Sequence, residues 1–207
     1  MDVKIYIEGG GNSKEEHIRF REGFRKLIEK TGVAKMPRTV PCGGRGETFR
    51  DFKNGLRNPS QVSLLLLDSE DPVTDLTDEI DNDFAWRHLA ARDRWQRPDE
   101  TQNHQAMLMA TCMETWITAD RASLREHFGA QIQENALPPL QNLEARDRHI
   151  VQDALAHATR NSKKAYRKGL RSFEVLAVLS PEALAAHLTQ FRRFISVLEK
   201  VLGKKSR

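Results

Sequence analysis

The stretch LLLLDSED, residues 64–71, sets four consecutive leucines directly before a group of acidic side chains. A short, wholly apolar run bounded by polar residues is typical of a strand that is buried on both faces, as in a parallel sheet. Open α/β sheets bind their ligands at the carboxyl edge, where such a strand ends. The stretch therefore predicts a parallel α/β sheet with Asp68, Glu70 and Asp71 at its ligand-binding edge.

Three acidic side chains this close together repel one another unless a cation or a proton compensates their charge. A hard divalent cation such as Mg²⁺ fits this place, because it takes oxygen ligands and is bound through one or two carboxylates. A solvated turn is the alternative, since Asp71 and Pro72 are also a common start of a turn or a helix. On this stretch alone, both interpretations stay open.

The N-terminal segment VKIYI, residues 3–7, has a strand pattern that ends in Glu8 and three glycines. Three glycines permit a tight turn and a close approach of the backbone to a ligand. Ser13, followed three residues later by Glu16, forms a capping box that predicts the start of a helix. Neither the Walker phosphate-binding pattern nor the dinucleotide fingerprint is present in the sequence.

A second strand is predicted at residues 38–42 and a second helix at residues 45–56, before the leucine strand. Strands and helices that alternate at this spacing predict right-handed crossovers and a mostly parallel sheet. All strands of a parallel sheet end at the same edge. We therefore expect Glu8, Asp68 and Glu70 to converge if the first and third strands are neighbours.

The rest of the chain is predicted to be largely helical. Residues 84–95 predict a short helix, and residues 106–113 predict a fourth strand or a strand that runs into a helix. Beyond a break at residues 135–139, helices are predicted at 143–158, 173–179 and 181–202. This pattern predicts an α/β core over residues 1–130 and a helical C-terminal extension packed on it over residues 131–207.

Composition narrows the class of protein. The chain has 207 residues and a net charge of +4, which suits one soluble domain with a helical addition. No window approaches eighteen apolar residues, and the N-terminus lacks a basic region followed by an apolar stretch, so we expect no membrane partner. Cys42 and Cys112 match no zinc spacing, and a reducing, cytoplasmic location is expected.

Positive charge is concentrated near the C-terminal end of the chain. The segment 160–169, RNSKKAYRKG, is rich in lysine and arginine and contains one tyrosine. Such a basic flank beside an acidic site suits a protein that holds metal ions and binds a polyanion. A solvated basic loop is the alternative interpretation.

A first strand that ends in Glu-Gly, and a later apolar strand that ends in two acids separated by one residue, resemble the Toprim domain. This fold is shared by topoisomerases, bacterial primases and nucleases of the overcoming-lysogenization-defect type. The chain also resembles a Toprim-like bacterial family of unknown function over nearly its whole length. The segments that carry the second resemblance are IYIEGGGN (5–12), CGGR (42–45), LLLLDSEDP (64–72), LAARDRW (89–95), CMETWITAD (112–120) and SFEVLAVLSP (172–181).

The resemblance implies a Toprim-like fold and a metal-dependent nuclease that uses Mg²⁺ or Mn²⁺. Glu8 matches the Toprim glutamate, Asp68 matches the first acid of the Asp-x-Asp pair, and Glu70 matches the second. All three are therefore expected to be catalytic metal ligands. The second acid is Glu rather than Asp, which is longer but is still a carboxylate ligand.

One further position departs from the nuclease branch of the family. That branch often has an Asp four residues after the glutamate, where this chain has Asn12. Either Asp71 or Glu114 could supply the missing charge as an additional metal ligand. Whether one or two ions bind is left open by the sequence.

Basic residues are also assigned by the resemblance. In related nucleases a lysine near the C-terminal end stabilises the transition state, and Lys164 or Lys168 matches it. We take Lys168 as the catalytic lysine. The residues expected to contact nucleic acid are Arg45, Lys163, Lys164, Arg167 and Lys168.

Partners follow from the same resemblance. Proteins of this general kind resemble effector subunits of phage-defence or mobile-element systems, often with a separate ABC-type ATPase. The expected partners are thus nucleic acid, with DNA favoured over RNA, an ATPase subunit, and a second copy of the chain. Two alternatives remain. One is an endonuclease for RNA such as tRNA, and the other is a non-catalytic subunit that binds nucleic acid or a partner protein.

Overall fold

The computed structural model describes residues 2–11 and 13–205. Its centre is a four-stranded sheet in which every pair of neighbouring strands is parallel, in the order β2-β1-β3-β4. The predicted α/β class with a parallel sheet is therefore confirmed, and the arrangement is consistent with a Toprim-like fold. The strands are β1 (Asp2–Ile7), β2 (Arg38–Pro41), β3 (Gln61–Asp68) and β4 (Ala106–Met109).

Helices cover both faces of this sheet. The described residues form nine α-helices, with short 3₁₀ turns at Asn103–Gln105, Glu134–Ala136 and Leu143–Ala145. The helices are α1 (Lys14–Lys30), α2 (Arg45–Leu56), α3 (Phe84–Asp93), α4 (Met113–Ala119), α5 (Arg121–Phe128), α6 (Arg148–Thr159), α7 (Leu170–Leu176), α8 (Pro181–His187) and α9 (Thr189–Leu202). No helix in the described part of the chain is long and apolar enough to cross a membrane.

The four leucines of β3 supply both faces of the core. Leu64 and Leu66 belong to the hydrophobic cluster that contains α1, whereas Leu65 and Leu67 belong to the cluster that contains α2 and α3. All four side chains are fully buried. This is the side-chain alternation of a strand with helices on both sides, which explains why the run is apolar at every position.

The strand order places a topological switch point between β1 and β3. From β1 the chain passes through α1 to β2 on one side, and from β2 it passes through α2 to β3 on the other. Since α1 and α2 pack on opposite faces, their connections leave a crevice at the carboxyl ends of β1 and β3. Ligands of open α/β sheets bind at such a crevice. The condition for convergence of the acids, that the first and third strands are neighbours, is met.

The C-terminal helices share the core of the sheet. Buried residues of α4, α6, α7 and α9 lie in the same hydrophobic cluster as β1, β3 and α1. Val33, after α1, also forms an antiparallel bridge with Lys204, close to the end of the described chain. Residues on both sides of position 130 thus belong to one core, and the proposed boundary there stays a prediction.

Two long predicted helices are interrupted, and these predictions were wrong in detail. The predicted helix 143–158 is a 3₁₀ turn followed by α6, because Asp147 caps α6 by accepting hydrogen bonds from the N–H groups of His149 (2.8 Å) and Ile150 (3.4 Å). The predicted helix 181–202 divides at Leu188, which has extended backbone angles. The capping box at the start of α1 is confirmed.

Candidate active site

A cavity of about 560 Å³ lies at the carboxyl edge of the sheet, at the switch point between β1 and β3. The strand ends form one wall, and the first turn of α6 with the segment before α7 forms the other. The C-terminal part of the chain therefore closes the site. The charged side chains that line the cavity are Glu8, Glu16, Asp68, Glu70, Glu114, Arg148 and Lys168.

The glycine turn after β1 shapes one side of the cavity. The Gly9 N–H donates to the carbonyl of Gly43 (2.8 Å), and the Gly43 N–H donates to the carbonyl of Gly9 (3.0 Å). Gly10 has φ +93°, and a Cβ placed there would lie 2.5 Å from the Cβ of Pro41. Only glycine fits this turn, which joins the loops after β1 and β2 and fixes Glu8 at the cavity wall.

Asp68 is the last residue of β3, where its carboxylate has a backbone hydrogen bond from Met113 but no ion pair with an arginine among the described residues. Its Oδ1 is shielded from solvent and has no hydrogen-bond partner among the described residues. Burial raises its pKa well above the ordinary value, and the negative charges of Glu114 and Glu8 raise the pKa further. The positive charge of Lys168 acts in the opposite direction.

Glu8 is held by an arginine. Burial raises the pKa of Glu8, and the main opposing influence is the positive charge of Arg45. One guanidinium nitrogen of Arg45 donates both to Glu8 Oε2 (3.2 Å) and to the carbonyl of Asp68 (2.6 Å). The remaining nitrogens pair with both carboxylate oxygens of Asp93 at 2.9 and 2.7 Å. Arg45 thereby ties together the ends of β1 and β3.

This arrangement bears on the predicted role of Arg45 in nucleic-acid binding. Its guanidinium is half-buried and is occupied by Glu8, Asp93 and a backbone carbonyl. In the described state it positions acidic side chains rather than facing a ligand. Its contact with nucleic acid stays a prediction.

Glu70 lies on the cavity wall between two arginines. It has a left-handed backbone conformation with φ 64°, and its N–H donates to the carbonyl of Thr111 (2.7 Å). One carboxylate oxygen pairs with Arg148 Nη1 at 2.6 Å, and the other contacts Arg92. Asp71 is largely exposed, with 67% of its side chain accessible, and pairs with Arg92 at 3.0 Å. The chain thus turns Glu70 inwards and leaves Asp71 at the surface.

Glu114 is buried in a polar network beside Asp68. Only 1% of the residue is exposed. It accepts hydrogen bonds from the hydroxyl of Tyr166 (2.7 Å) and from the side-chain amide of Gln152 (3.2 Å). The Tyr166 oxygen also lies 2.8 Å from the hydroxyl of Ser172. Glu114 is therefore held by hydrogen bonds from neighbouring side chains, and it also lines the cavity together with Asp68.

The predicted basic residues separate into two places. Lys168 lines the cavity, and its charge lowers the pKa of both Glu8 and Asp68. Lys163 and Lys164 line a different depression, together with residues 126–131. Arg167 is exposed. Among the described basic residues of this segment, Lys168 is the one that lines the cavity with the acids.

The donor set fits a hard divalent cation in part. Within residues 2–11 and 13–205, no three Asp, Glu, His or Cys side chains are grouped so that they could hold a metal ion. Yet Asp68 offers an unpartnered oxygen in a cavity that is also lined by Glu8 and Glu114. Mg²⁺ is commonly bound by one or two carboxylates, with water and substrate oxygens completing its shell. Asn12, the departure from the nuclease pattern, lies outside the described residues.

Comparison with known proteins gives a family. The model of a family described as "Domain of unknown function (DUF4276)" matches residues 9–199. This chain belongs to the DUF4276 family. The match begins at the glycine turn and ends within α9, so it includes every described element of this DUF4276 protein except β1 and the last residues of α9. No curated protein and no solved structure matches the chain.

Sequence reasoning missed several side chains that line the DUF4276 cavity, and two, Arg92 and Asp93, that pair with residues of the site from outside it. Arg92 and Asp93 lie in the segment LAARDRW, whose charged positions on a short helix were a signal without an assigned role. Arg148 and Gln152 lie in the first turns of α6, far along the chain from the acids. No local pattern connects them to the site, because only the packing of α6 against α4 brings them there.

Proposed function

We propose that this protein is a Toprim-type nuclease that hydrolyses phosphodiester bonds of nucleic acid with Mg²⁺ or Mn²⁺. The observation that carries the proposal is Asp68, which holds an unpartnered, solvent-shielded carboxylate oxygen in a cavity at the switch point of a parallel sheet. Such a buried acid is unfavourable unless a proton or a cation compensates it. A bound metal ion would supply the positive charge that compensates the Asp68 carboxylate.

Residues of the cavity have distinct parts in this proposal. Asp68 would hold the ion together with Glu8 or Glu114. These are the two carboxylates whose negative charges raise the pKa of Asp68. A bound divalent ion supplies an activated water and stabilises the charge of the leaving oxygen. Lys168 would add positive charge beside the phosphate as negative charge develops there. Arg45 would hold Glu8 beside the end of β3, because it donates to both.

A non-catalytic subunit that binds nucleic acid or a partner protein is the second candidate function. The observation that favours it is the pairing of Glu8 with Arg45 and of Glu70 with Arg92 and Arg148. Both of these predicted ligands are neutralised by protein cations, which leaves Asp68 as the one of the three Toprim acids without such an ion pair among the described residues. An effector of this kind would act through its partner, for which the resemblance suggests an ABC-type ATPase.

A cleavage assay separates these functions. Plasmid, linear duplex DNA, single-stranded DNA and tRNA are incubated with the protein in Mg²⁺, Mn²⁺ or EDTA. The variants are Asp68→Asn and Glu8→Gln, and Glu29→Gln is the matched control, since Glu29 forms an exposed pair with Arg25 on α1. We expect metal-dependent cleavage that falls at least about a hundredfold in the two site variants and is unchanged in the control.

The substrates also decide between the alternatives. Cleavage of DNA alone supports the proposed specificity, and cleavage of tRNA alone supports an RNA endonuclease. Cleavage that persists in folded Asp68→Asn protein contradicts the assignment of the site. If no substrate is cleaved, with or without an ATPase encoded beside the protein, the binding-subunit function is favoured.

A further inference from the structure

We propose that Arg148 binds a phosphate group of the substrate and that Glu70 occupies this arginine as a placeholder when no substrate is bound. The inference rests on the proposed function, because it assigns the substrate contact in the same cavity. It names a residue outside the basic segment 160–169 from which phosphate contacts were expected.

Arg148 is placed to meet a ligand in the cavity. It is the first residue of α6 and lines the wall opposite the strand ends. About 30% of its side chain is exposed, so the guanidinium is reachable from solvent. Among the described residues, Glu70 is the one carboxylate in an ion pair with it, at 2.6 Å.

Arg92 differs from Arg148 in the number of its partners. It pairs with Asp71 and Asp93 as well as with Glu70. If Glu70 moved away, Arg92 would remain neutralised by two acids, whereas Arg148 would be left without a counter-charge. Release of Glu70 therefore creates one new anion site, and that site lies on the cavity wall.

Phosphate is the chemical class that fits this exchange. A guanidinium binds carboxylates and phosphates through the same planar fork of N–H donors, so a phosphate can replace the carboxylate of Glu70. The pair is partly exposed on both sides. Partly exposed ion pairs contribute less to stability than fully buried ones, and the incoming phosphate keeps Arg148 paired when Glu70 leaves it.

The exchange has a consequence for the acids. The Glu70 backbone stays anchored through its N–H bond to Thr111, so a released side chain remains on the cavity wall two residues beyond Asp68. It then becomes available to join Asp68 and Glu8 as an oxygen ligand. Substrate binding at Arg148 would thus complete a set of carboxylates that is not grouped in the described state.

Binding measurements without metal test the inference. Inorganic phosphate is titrated by calorimetry, and a fluorescein-labelled single-stranded oligothymidylate is titrated by anisotropy, both in EDTA so that no cleavage occurs. The variants are Arg148→Gln, Glu70→Gln and the double variant. Arg25→Gln is the matched control, because Arg25 forms an exposed pair with Glu29 on α1.

We expect Arg148→Gln to raise the Kd for the oligonucleotide about tenfold, as for the loss of a charge-assisted hydrogen bond. Glu70→Gln should lower the Kd for both probes about threefold or more, since it frees the guanidinium. This gain should vanish in the double variant, because it depends on Arg148. The control should bind like the unaltered protein, and all variants should keep its thermal midpoint within a few degrees.

Three outcomes overturn the inference. The first is a Kd for both probes that is unchanged by Arg148→Gln, and the second is an equal gain from Glu70→Gln with and without Arg148. The third is absence of binding even in Glu70→Gln, because that variant leaves the arginine free. None of these readouts involves cleavage, so the nuclease proposal can fail in its own assay while this binding pattern stands, and the reverse also holds.

Discussion

Asp68 ends a strand whose preceding four side chains are fully buried, and its own Oδ1 is shielded from water. A carboxylate in such a place is destabilised when ionised, and nearby Glu114 and Glu8 add to the destabilisation. Other acids in this protein have partners for both carboxylate oxygens: Glu70 pairs with two arginines, and Glu144 accepts from two backbone N–H groups. Asp68 has a backbone hydrogen bond from Met113 and the favourable charge of Lys168, but its Oδ1 has no partner among the described residues, which points to a ligand at that oxygen.

This electrostatic state predicts a pH dependence of stability. Because the pKa of Asp68 is higher in the folded than in the unfolded protein, the folded state binds the proton more tightly. The free energy of unfolding should therefore fall as the pH rises from about 4, the unfolded pKa, to the raised folded pKa, by about 1.4 kcal/mol for each pKa unit between the two states. Asp68→Asn should lack this contribution.

Urea denaturation of both proteins in EDTA, from pH 4 to pH 8, checks the prediction. The advantage of Asp68→Asn over the unaltered protein should grow with pH and then level off above the folded pKa. Glu8 also has a raised pKa and is present in both proteins, so the difference between them reports the charge of Asp68 together with its repulsion of the neighbouring acids. A difference that is the same at every pH would contradict the account.

At the scale of elements, the ends of helices decided which predictions succeeded. The capping box of Ser13 and Glu16 lies within one short segment and located α1 correctly. Asp147 and Ser180 cap α6 and α8 through local hydrogen bonds. The predicted break at residue 180 matches the start of α8, whereas Asp147 was readable in the sequence and was not used as a break. The start of α9 was not readable, because its cap comes from a distant residue.

That distant cap gives a testable prediction. Glu144, in the 3₁₀ turn before α6, accepts hydrogen bonds from the N–H groups of Thr189 (2.7 Å) and Gln190 (2.8 Å) at the start of α9. Leu188, the N-cap residue of α9, makes no capping hydrogen bond with its side chain. Glu144→Ala should lower the free energy of unfolding by about 2 kcal/mol, since it leaves the N–H groups of Thr189 and the buried Gln190 without these acceptors.

The measurement is urea denaturation at neutral pH. Glu144→Gln is the matched variant, because its amide keeps one of the two acceptor oxygens, and it should lose about half as much stability. Equal stability of the alanine variant and the unaltered protein would mean that this contact does not hold α9.

At the scale of the whole molecule, the sequence predicted the edge of the sheet better than the cavity built on it. The apolar run at 64–67 and the acids after two strands were sufficient to place Glu8 and Asp68 together, because parallel strands end at one edge. The opposite wall depends on how α6 and the segment before α7 fold back over that edge. Arg148, Gln152 and Ser172 are far from the acids along the chain, and their approach is a product of packing.

The same limit applies to charge. The basic segment 160–169 was predicted as one phosphate-contact patch, but the fold sends Lys168 into the cavity and Lys163 and Lys164 to another depression. Residues adjacent in an irregular connection can face different surfaces, and no periodic pattern reports which way each one points. Composition identified the positive charge of segment 160–169, but it could not identify which surface each of its lysines faces.

A calorimetric titration of Mn²⁺ tests the central claim, that Asp68 is the principal ligand of a divalent ion in the cavity. The unaltered protein, Asp68→Asn and the control Glu29→Gln are titrated at pH 6 and pH 8. We expect binding by the unaltered protein and the control that is tighter at pH 8, since the ion displaces the proton of Asp68, and a Kd at least about tenfold higher for Asp68→Asn. A folded Asp68→Asn protein that binds Mn²⁺ as tightly as the control would contradict the claim.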